Sequence, residues 1–482
     1  MIKYISPKKL LDIKRLDIAL KILYIDEYLN ETGSEYLNLY KKHIELRTSN
    51  LEDDKECAND FIDSFNLLIQ SINENGFDDE FPIHISSVNH INLSGAHRLA
   101  CALYFNLKVI PVIYDSKPGL TWCSNWFSSN NFSDALIKEL ELKTLKSMGT
   151  SSFIIWNSLF KYGSEIEKNI SLECEVIKSF DIKISSKEKL MECVSGIYSY
   201  ELGPKVSEII ISKAFQLSKY KETTFKLIVT RNYEKSHIIK VKEKVRKLYS
   251  PVVNDNLFLS VHSSDDVEHS NYLLDYLLNF NRYKMPLKNT TYPSIELIEW
   301  LSELYKYCEN KKINRNDICI VGSSSMDILG IRKSTDIDFI LLSTIREKMF
   351  DNKVNVLSDN IDLASKGYLR LANTNITDDL IIKKSKYHYF FRGFKFIDID
   401  YVLQRKKNQC RDKDIQDVRL IDRWKENNKT LKSNYIYFLY EMKFKIWYYF
   451  VAKPRIYKGR IKFLLRKILP ENVIQILKRI YT

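Results

Sequence analysis

Two short apolar strands separated by a polar turn dominate the segment between Ile318 and Leu342. The first strand, ICIV, runs directly into the turn GSSS, and the second, FILL, follows Asp336 and Asp338. Because residues two apart in an extended strand share a face, the two aspartates are expected to point the same way at the strand's start. Two such carboxylates repel each other unless a divalent cation lies between them. The pattern predicts an α/β layer with a metal site at one edge; the alternative is a solvated polar strand start.

The turn itself holds Gly322, Ser323 and Ser324. Glycine is scarce in this chain, with 13 in 482 residues, so a glycine beside a run of serines is informative. A strand that ends in such a turn presents backbone N–H groups and hydroxyls to an anion, and a phosphate group would fit there. Gly-Ser turns are also common as plain connections, so the turn alone does not decide between the two interpretations.

A third carboxylate is expected from a neighbouring strand. FKFIDIDYVL, which begins at Phe394, is the only later apolar run with acids inside it, and as a strand it puts Asp398 and Asp400 on one face. One of the two is predicted to complete the metal site, and the sequence does not say which. The alternative is that both lie on the surface of an edge strand.

The segment from about residue 295 to 425 resembles the DNA polymerase beta nucleotidyltransferase superfamily, through GSSSMDILG, STDIDFILL and an acid in a later strand. The resemblance implies that the turn binds nucleotide phosphates and that three acids bind two Mg²⁺ ions, for which Mn²⁺ can substitute. RDKDIQDVRLI, from Arg411, also resembles the KDxxD element that opens a helix behind the active site in many small members. The residues implied are Gly322, Ser323 and Ser324 for phosphate, and Asp336, Asp338 and either Asp398 or Asp400 for metal and catalysis.

This resemblance implies transfer of a nucleoside monophosphate from an NTP to a small phosphorylated acceptor, such as a sugar or polyol phosphate. One metal ion lowers the pKa of the acceptor hydroxyl, while both neutralise charge on the α-phosphate as pyrophosphate leaves. A glycosyltransferase with a DxD metal site is the alternative, although in those enzymes the apolar strand usually precedes the acids. Here the polar stretch IRKST precedes Asp336 and the strand follows, and this order favours nucleotidyl transfer.

A second turn before a helix occurs in INLSGAHRLACALYF, which begins at Ile91. An anion at the start of this helix would gain backbone and guanidinium contacts; a plain turn is the alternative. With KVIPVIY after it, the stretch resembles the ParB/sulfiredoxin superfamily over about residues 1 to 120. That resemblance implies binding of nucleotide phosphates at Gly95, His97 and Arg98, and an additional small-molecule kinase activity.

A kinase would need an acid to activate its acceptor, and Asp17, Asp26 and Glu27 are equal candidates. The same superfamily contains nucleotide-dependent DNA-binding partition proteins, so ParB-like DNA binding is a further alternative. It would need a helix-turn-helix downstream, and none is apparent. Specific nucleic-acid binding is therefore not expected.

At 482 residues the chain is long enough for about three domains. The predicted segments are a ParB/sulfiredoxin-like α/β domain (1–148), a middle α/β domain of unknown role (149–290), an α+β nucleotidyltransferase domain (291–430) and a basic amphipathic tail (431–482). Ser294 is predicted to cap the first helix of the third segment. The expected fold class is α/β multidomain with a helical C-terminal tail.

Most of the net charge lies in the tail. Nine Lys/Arg and one acid follow from Lys453 onward, so +8 of the formal charge of +13 belongs to this segment. Apolar residues recur there at helical spacing, and basic amphipathic helices of this kind lie on anionic membrane surfaces. Packing of the apolar stripe against the protein's own domains is the alternative.

The eight cysteines are scattered singly, which is typical of a reducing compartment, and the charged start MIKYISPKKL contains no signal-like apolar run. The predicted location is the cytoplasm, with peripheral membrane contact through the tail. A fusion of two nucleotide-handling domains with such a tail resembles proteins of bacterial surface polysaccharide biosynthesis, and this resemblance implies a role in that process.

Overall fold

The computed structural model describes residues 2–48, 55–205, 207–254, 256–278, 293–350, 356–365, 367–369 and 376–428. The chain divides into two compact units, residues 1–200 with 207–280 and residues 201–206 with 281–482. The architecture is mixed α/β with three sheets, which confirms the coarse fold class. The predicted boundary at residue 148 falls inside the first unit. The predicted amphipathic tail, 431–482, lies outside the described residues.

The first sheet has four strands in the order β1-β4-β2-β3, with β2 and β4 parallel and the other pairs antiparallel. The second helix is buried along most of its length, because its apolar side chains pack into the core beneath this sheet. The strands are β1 (Lys3–Ile5), β2 (Ile83–Ser86), β3 (Asn92–Ser94) and β4 (Ile110–Asp115), and the helices are α1 (Pro7–Leu10), α2 (Leu16–Asn30), α3 (Glu35–Thr48), α4 (Ala58–Asn75), α5 (Ala96–Tyr104), α6 (Ser124–Ser129) and α7 (Asp134–Met148).

The second sheet is antiparallel throughout, in the order β6-β7-β5-β8. All six residues of its β5 strand are buried, as expected for a strand between two neighbours and under helices. The strands are β5 (Thr150–Ile155), β6 (Val176–Lys183), β7 (Thr224–Arg231) and β8 (Val261–Ser263), and the helices of this region are α8 (Gly163–Ser171), α9 (Lys187–Leu202), α10 (Glu208–Ser218), α11 (Lys235–Leu248) and α12 (Val267–Leu278).

The second unit holds a six-stranded mixed sheet in the order β11-β12-β10-β9-β14-β13. Its first helix begins after Ser294, whose Oγ accepts a hydrogen bond from the N–H of Leu297 at 3.3 Å, so the predicted cap is confirmed. The strands are β9 (Ile318–Val321), β10 (Ile337–Leu341), β11 (Val356–Ser358), β12 (Ile361–Leu363), β13 (His388–Phe391) and β14 (Phe394–Ile397), and the helices are α13 (Ile295–Lys311), α14 (Ser324–Ile328), α15 (Ser343–Phe350), α16 (Asp378–Lys383), α17 (Ile399–Gln409) and α18 (Asp412–Asn428).

Strand directions in this sheet bring several chain segments to one edge. The β9 strand is parallel to β14 and antiparallel to β10, and β10 is parallel to β12. The carboxyl ends of β9 and β14 therefore lie at the same edge as the starts of β10 and β12. Gly322, which follows β9, and Asp336, which precedes β10, meet there, and this edge carries the candidate site.

Within the described residues no helix combines the length and the apolar character needed to span a bilayer. All eight cysteines are free thiols, and six of them are buried.

Candidate active site

Gly322 takes a backbone conformation and a position that other residues would not tolerate. Its φ is +76°, in the left-handed region that favours glycine. A Cβ atom built on it would lie 2.9 Å from Oδ2 of Asp338. The N–H of Gly322 donates to the phenol oxygen of Tyr368 at 2.9 Å. The turn after β9 thus touches the second aspartate of the DxD pair directly.

The serines of the turn have different roles. Ser324 is buried and its hydroxyl donates to the backbone carbonyl of Asp336 at 2.9 Å, while the Ser325 hydroxyl donates to the carbonyl of Ile397 at 2.9 Å. These two bonds tie the turn to the start of β10 and the end of β14. The Ser323 hydroxyl makes no hydrogen bond within the described part of the chain. Of the predicted phosphate-binding hydroxyls, Ser323 remains available for a ligand and Ser324 is used by the fold.

Asp338 lies in a cluster of carboxylates. It is the residue of β10 that pairs directly with Asp362 of β12, and Asp336 precedes it by two residues. Burial, followed by the charges of Asp336 and Asp362, raises the pKa of Asp338 to about 6. Because like charges and low exposure both disfavour ionisation, a divalent cation beside this carboxyl would be strongly attracted.

Asp362 is a member of this cluster that the sequence interpretation missed. Its Oδ1 atom is buried and has no hydrogen-bond partner among the described residues. A buried carboxylate oxygen without a donor is costly unless a cation approaches it. The available signal was the alternation of Ile361, Asp362 and Leu363, an acid between two apolar residues, but the strand has only three residues.

Asp398 and Asp400 do not share a strand face, contrary to expectation. The run FKFIDIDYVL changes from strand to helix in its middle, because β14 ends at Ile397 and Asp398 caps α17. Oδ1 of Asp398 accepts the N–H of Asp400 at 2.9 Å. Asp400 is half exposed and forms an ion pair with Lys425 of α18. Neither is among the groups with the largest effect on Asp338, whereas Asp362 is.

Two cations face the carboxylate cluster. Arg405 of α17 and Lys413 of α18 oppose the rise in the pKa of Asp338. The Arg405 guanidinium lies over the Tyr368 ring, with its carbon 3.7 Å from the ring centroid. Burial raises the pKa of Tyr368 to about 12, so the phenol is protonated at neutral pH. Positive charge therefore lies near enough to the cluster to act on Asp338.

The KDxxD element opens α18, as the resemblance implied, and its two acids serve the fold. Asp414 accepts from Arg411 at 2.6 Å and from Lys406 at 3.1 Å. Asp417 lies 2.7 Å from the Lys406 ammonium and accepts two bonds from Arg332, at 2.6 Å and 2.8 Å. Both acids are buried, so this network fixes α17, α18 and the segment before β10 relative to one another.

Asp327 of α14 connects two chain segments next to the site through hydrogen bonds. Its buried carboxylate accepts from the N–H and hydroxyl of Ser294, at 2.8 Å and 2.7 Å. It also accepts from the N–H and hydroxyl of Ser334, at 2.8 Å and 3.1 Å. The four bonds join the start of α13 to the loop that leads into Asp336, so Asp327 holds the DxD segment in place.

The two predicted phosphate-binding side chains at the turn of the first unit both contact other protein groups. Gly95 has φ +79° and begins α5. The His97 Nε2 atom lies 2.6 Å from the Tyr40 hydroxyl, its ring packs on Phe65, and burial holds the pKa of His97 well below its usual value. The Arg98 guanidinium donates to the backbone carbonyls of Phe81 and Pro82. The Nη2 atom of Arg98 lies beside the turn, 3.1 Å from the position that a Cβ on Gly95 would take.

The three acids that the sequence offered to a kinase are also engaged. Asp17 is buried between Arg15 and Lys21, at 2.8 Å and 2.9 Å. Glu27 is buried and accepts the N–H groups of residues 36 and 37 at the start of α3. Asp26 accepts from the Tyr104 hydroxyl at 3.2 Å. These contacts stabilise the first unit.

The second unit thus combines three neighbouring acids and an available serine hydroxyl at one sheet edge, with positive charge nearby. Such a set can bind a divalent cation together with a polyphosphate, because the acids take the metal and the cations face the anion. Comparisons of the chain with protein-family models, with curated proteins and with solved structures gave no match.

Proposed function

We propose that the second unit transfers a nucleoside monophosphate from an NTP to a small acceptor, with Mg²⁺ held by Asp336, Asp338 and Asp362. The observation that carries this proposal is the placement of Asp338. It lies beside two further acids and against the Gly322 turn, where its pKa is raised to about 6, by burial first and then by those acids. A fold gains nothing from such repulsion, so its presence supports a cation site.

The donor set fits magnesium or manganese, since both prefer carboxylate oxygens. The Oδ1 atom of Asp362 is buried and accepts no hydrogen bond from any described residue, so it is suited to be a ligand atom of a cation. When bound, the metal would lower the pKa of the acceptor hydroxyl and neutralise phosphate charge. In this proposal Asp362 is the third metal ligand, the role for which the sequence had offered Asp398 and Asp400.

The nucleotide would be held beside these acids by the turn. The Ser323 hydroxyl is available to donate to a phosphate oxygen, whereas Ser324 keeps the start of β10 in register with the turn. The N–H of Gly322 would be a second donor to phosphate if it released the Tyr368 oxygen, to which it donates in this structure. A sugar or polyol phosphate remains the proposed acceptor class, from the family resemblance.

The position of the acids supports nucleotidyl transfer over the glycosyltransferase alternative. Asp336 and Asp338 lie at the start of β10, which is antiparallel to β9, so the acids and the carboxyl end of β9 share one edge. This is the strand, turn, strand order on which the resemblance rests. A kinase step in the first unit has less support, because the His97 ring is bound to the Tyr40 hydroxyl and packs on Phe65.

The decisive experiment is pyrophosphate release by the full chain. The protein is incubated with Mg²⁺, each labelled NTP and a metabolite extract, and the labelled product is identified by mass spectrometry. Asp338→Asn and Asp362→Asn are expected to reduce turnover at least a hundredfold, because each removes a metal ligand.

Asp400→Asn is the matched control, since it makes the same chemical change at a half-exposed residue that pairs with Lys425. It should retain at least half of the activity. Turnover that survives in Asp338→Asn would show that the site lies elsewhere. Loss of activity in Asp400→Asn with retention in Asp362→Asn would identify Asp400 as the third ligand in place of Asp362.

A further inference from the structure

Arg405 is fixed in orientation beside the candidate site. It lies on α17, and its guanidinium carbon is 3.7 Å from the centroid of the Tyr368 ring. One of its nitrogens, Nη1, also donates to the backbone carbonyl of Tyr368. Stacking on the ring and bonding to the same residue's carbonyl leave the side chain little rotational freedom.

The charge of Arg405 is not compensated by a neighbouring acid. Within the described part of the chain it makes no ion pair, and its Nε and Nη2 atoms donate to no acceptor. Nearby cations differ in this respect: Arg411 pairs with Asp414, Arg332 with Asp417, and Lys406 with both acids. A half-buried guanidinium held without an anion is unfavourable unless a ligand supplies one.

The partner of this guanidinium is not one of the metal-site acids. Arg405 is close enough to Asp338 to act on its ionisation, yet the two form no ion pair. The guanidinium instead stacks on the Tyr368 ring, whose phenol oxygen accepts the N–H of Gly322 at 2.9 Å. Tyr368 therefore links Arg405 to the phosphate turn, which lies against Asp338.

We propose that Arg405 binds the triphosphate of the nucleotide and the pyrophosphate that leaves, and that Tyr368 is its positioning residue. This rests on the proposed nucleotidyl transfer at Asp336, Asp338 and Asp362. A guanidinium with two free, adjacent N–H donors matches two oxygens of a phosphate group. In the reaction the acceptor hydroxyl gives its proton to a carboxylate of the cluster, and its oxygen bonds to the α-phosphorus. The bond from that phosphorus to the bridging oxygen breaks, and the electron pair stays with pyrophosphate. Arg405 neutralises the charge that accumulates on that leaving group.

Binding of metal and of phosphate can be measured separately in the full chain. Titration calorimetry with Mn²⁺ alone reports the carboxylates, and titration of the Mn²⁺-loaded protein with pyrophosphate, or with a non-hydrolysable α,β-methylene NTP, reports Arg405. Arg405→Gln is expected to weaken pyrophosphate and nucleotide binding at least tenfold and to change Mn²⁺ affinity less than twofold. Arg405→Lys should lose about threefold to tenfold, since it keeps the charge and loses the two-point geometry.

The control is Arg423→Gln, which removes the same charge from the exposed face of α18 and should leave all affinities unchanged. Arg405→Ala with added methylguanidine tests for a merely structural role. Recovery of pyrophosphate binding is expected, because a free guanidinium can occupy the space on the Tyr368 ring. Tyr368→Phe keeps that ring and should preserve pyrophosphate binding, whereas Tyr368→Leu should weaken it by at least threefold with Mn²⁺ binding retained.

Equal pyrophosphate affinity in wild type and Arg405→Gln would overturn the assignment of Arg405 and leave the proposed function standing. Failure of the wild type to bind either Mn²⁺ or any nucleotide would overturn both. A sugar monophosphate is titrated in parallel, because an acceptor phosphate has the same chemistry. Loss of its binding in Arg405→Gln, with pyrophosphate binding intact, would contradict the triphosphate assignment.

Discussion

Asp338 and Asp362 are directly paired residues of the parallel strands β10 and β12, so their carboxylates lie side by side on one face of the sheet. Parallel neighbours are about 4.8 Å apart along the hydrogen-bonding direction, and like charges at this spacing repel. With Asp336 two residues earlier, the pair concentrates negative charge beside a turn suited to phosphate. The unfavourable pairing supports the proposed metal site.

The raised pKa of Asp338 predicts a dependence of stability on pH. Burial and the neighbouring acids raise this pKa from 3.8 to about 6 in the folded chain. The folded state therefore holds the proton more tightly than the unfolded state, and this contribution to stability is lost as pH rises from about 4 to about 6. Without metal, Asp338→Asn should be more stable than wild type at neutral pH by about 2–3 kcal/mol. Urea unfolding at several pH values measures the difference.

Divalent cations should reverse the order of stability of the wild type and Asp338→Asn. Mg²⁺ or Mn²⁺ is expected to stabilise the wild type at neutral pH and to leave Asp338→Asn unaffected, because the variant lacks the charge that attracts the ion. Asp400→Asn serves as the control and should follow the wild type in both conditions. Parallel pH profiles for wild type and Asp338→Asn would contradict the assigned cluster.

Gly322→Ala should destabilise the protein and disturb the metal site together. Alanine at φ +76° costs about 1 kcal/mol, and its Cβ would lie 2.9 Å from Oδ2 of Asp338. The expected total is roughly 2–4 kcal/mol, with loss of Mn²⁺ affinity. Gly76→Ala is the control for Mn²⁺ affinity, because Gly76 also has a positive φ, +81°, and open space around its Cβ position. Unchanged Mn²⁺ affinity in Gly322→Ala would mean that the contact with Asp338 is unimportant.

The core of the site was readable from the sequence because it is local. An apolar run ending in Gly322 and serines, then Asp336 and Asp338 before a second apolar run, specifies strand, turn and strand within a short stretch of chain. Each residue type has a reason there: the glycine for its positive φ, and the alternating acids for a shared strand face. The structure accordingly has β9, the turn and β10 where they were predicted.

The third acid could not be found in the same way because it depends on strand pairing across the sheet. Asp362 joins the cluster only through the parallel pairing of the three-residue strand β12 with β10. Asp398 offered a stronger local pattern, yet an aspartate after a strand is equally suited to cap a helix. The hydrogen-bonding roles of Ser323 and Ser324 also depend on long-range contacts, since the acceptor for Ser324 is the carbonyl of Asp336.

Ser323→Ala and Ser324→Ala should separate binding from folding. Ser324 is buried and bonded to the Asp336 carbonyl, so its loss should reduce the free energy of unfolding by about 1–2 kcal/mol. Ser323 makes no hydrogen bond in the described chain, so its loss should leave stability unchanged and raise the nucleotide KM several-fold. Thermal unfolding measures the stability of both variants, and steady-state kinetics measure their nucleotide KM. A lower melting temperature for Ser323→Ala than for Ser324→Ala would reverse these roles.

Asp17→Asn should strongly destabilise the first unit. Asp17 is buried between Arg15 and Lys21, and these two cations hold its pKa well below the usual value against the effect of burial. Removing the acid leaves two buried cations without compensation, at a cost of about 3–5 kcal/mol. Because the folded pKa is lowered, the contribution of Asp17 is present above about pH 4 and is lost at lower pH. The difference between wild type and variant in chemical unfolding should therefore shrink on acidification; a constant difference would contradict the ion-pair origin.

Asp327→Asn should impair the second unit through the position of its DxD segment. Asp327 accepts four hydrogen bonds, two from Ser294 and two from Ser334, and an amide would set its NH₂ group against some of these donors. The expected loss is roughly 3–5 kcal/mol, with weaker Mn²⁺ binding because the loop into Asp336 is released. Asp379→Asn is the matched control. Among the described residues Asp379 accepts from the N–H and hydroxyl of Ser343 alone, and it is partly exposed, so about 1–2 kcal/mol and unchanged Mn²⁺ affinity are expected there. Equal effects of the two substitutions on Mn²⁺ affinity would show that Asp327 stabilises the fold without orienting the metal site.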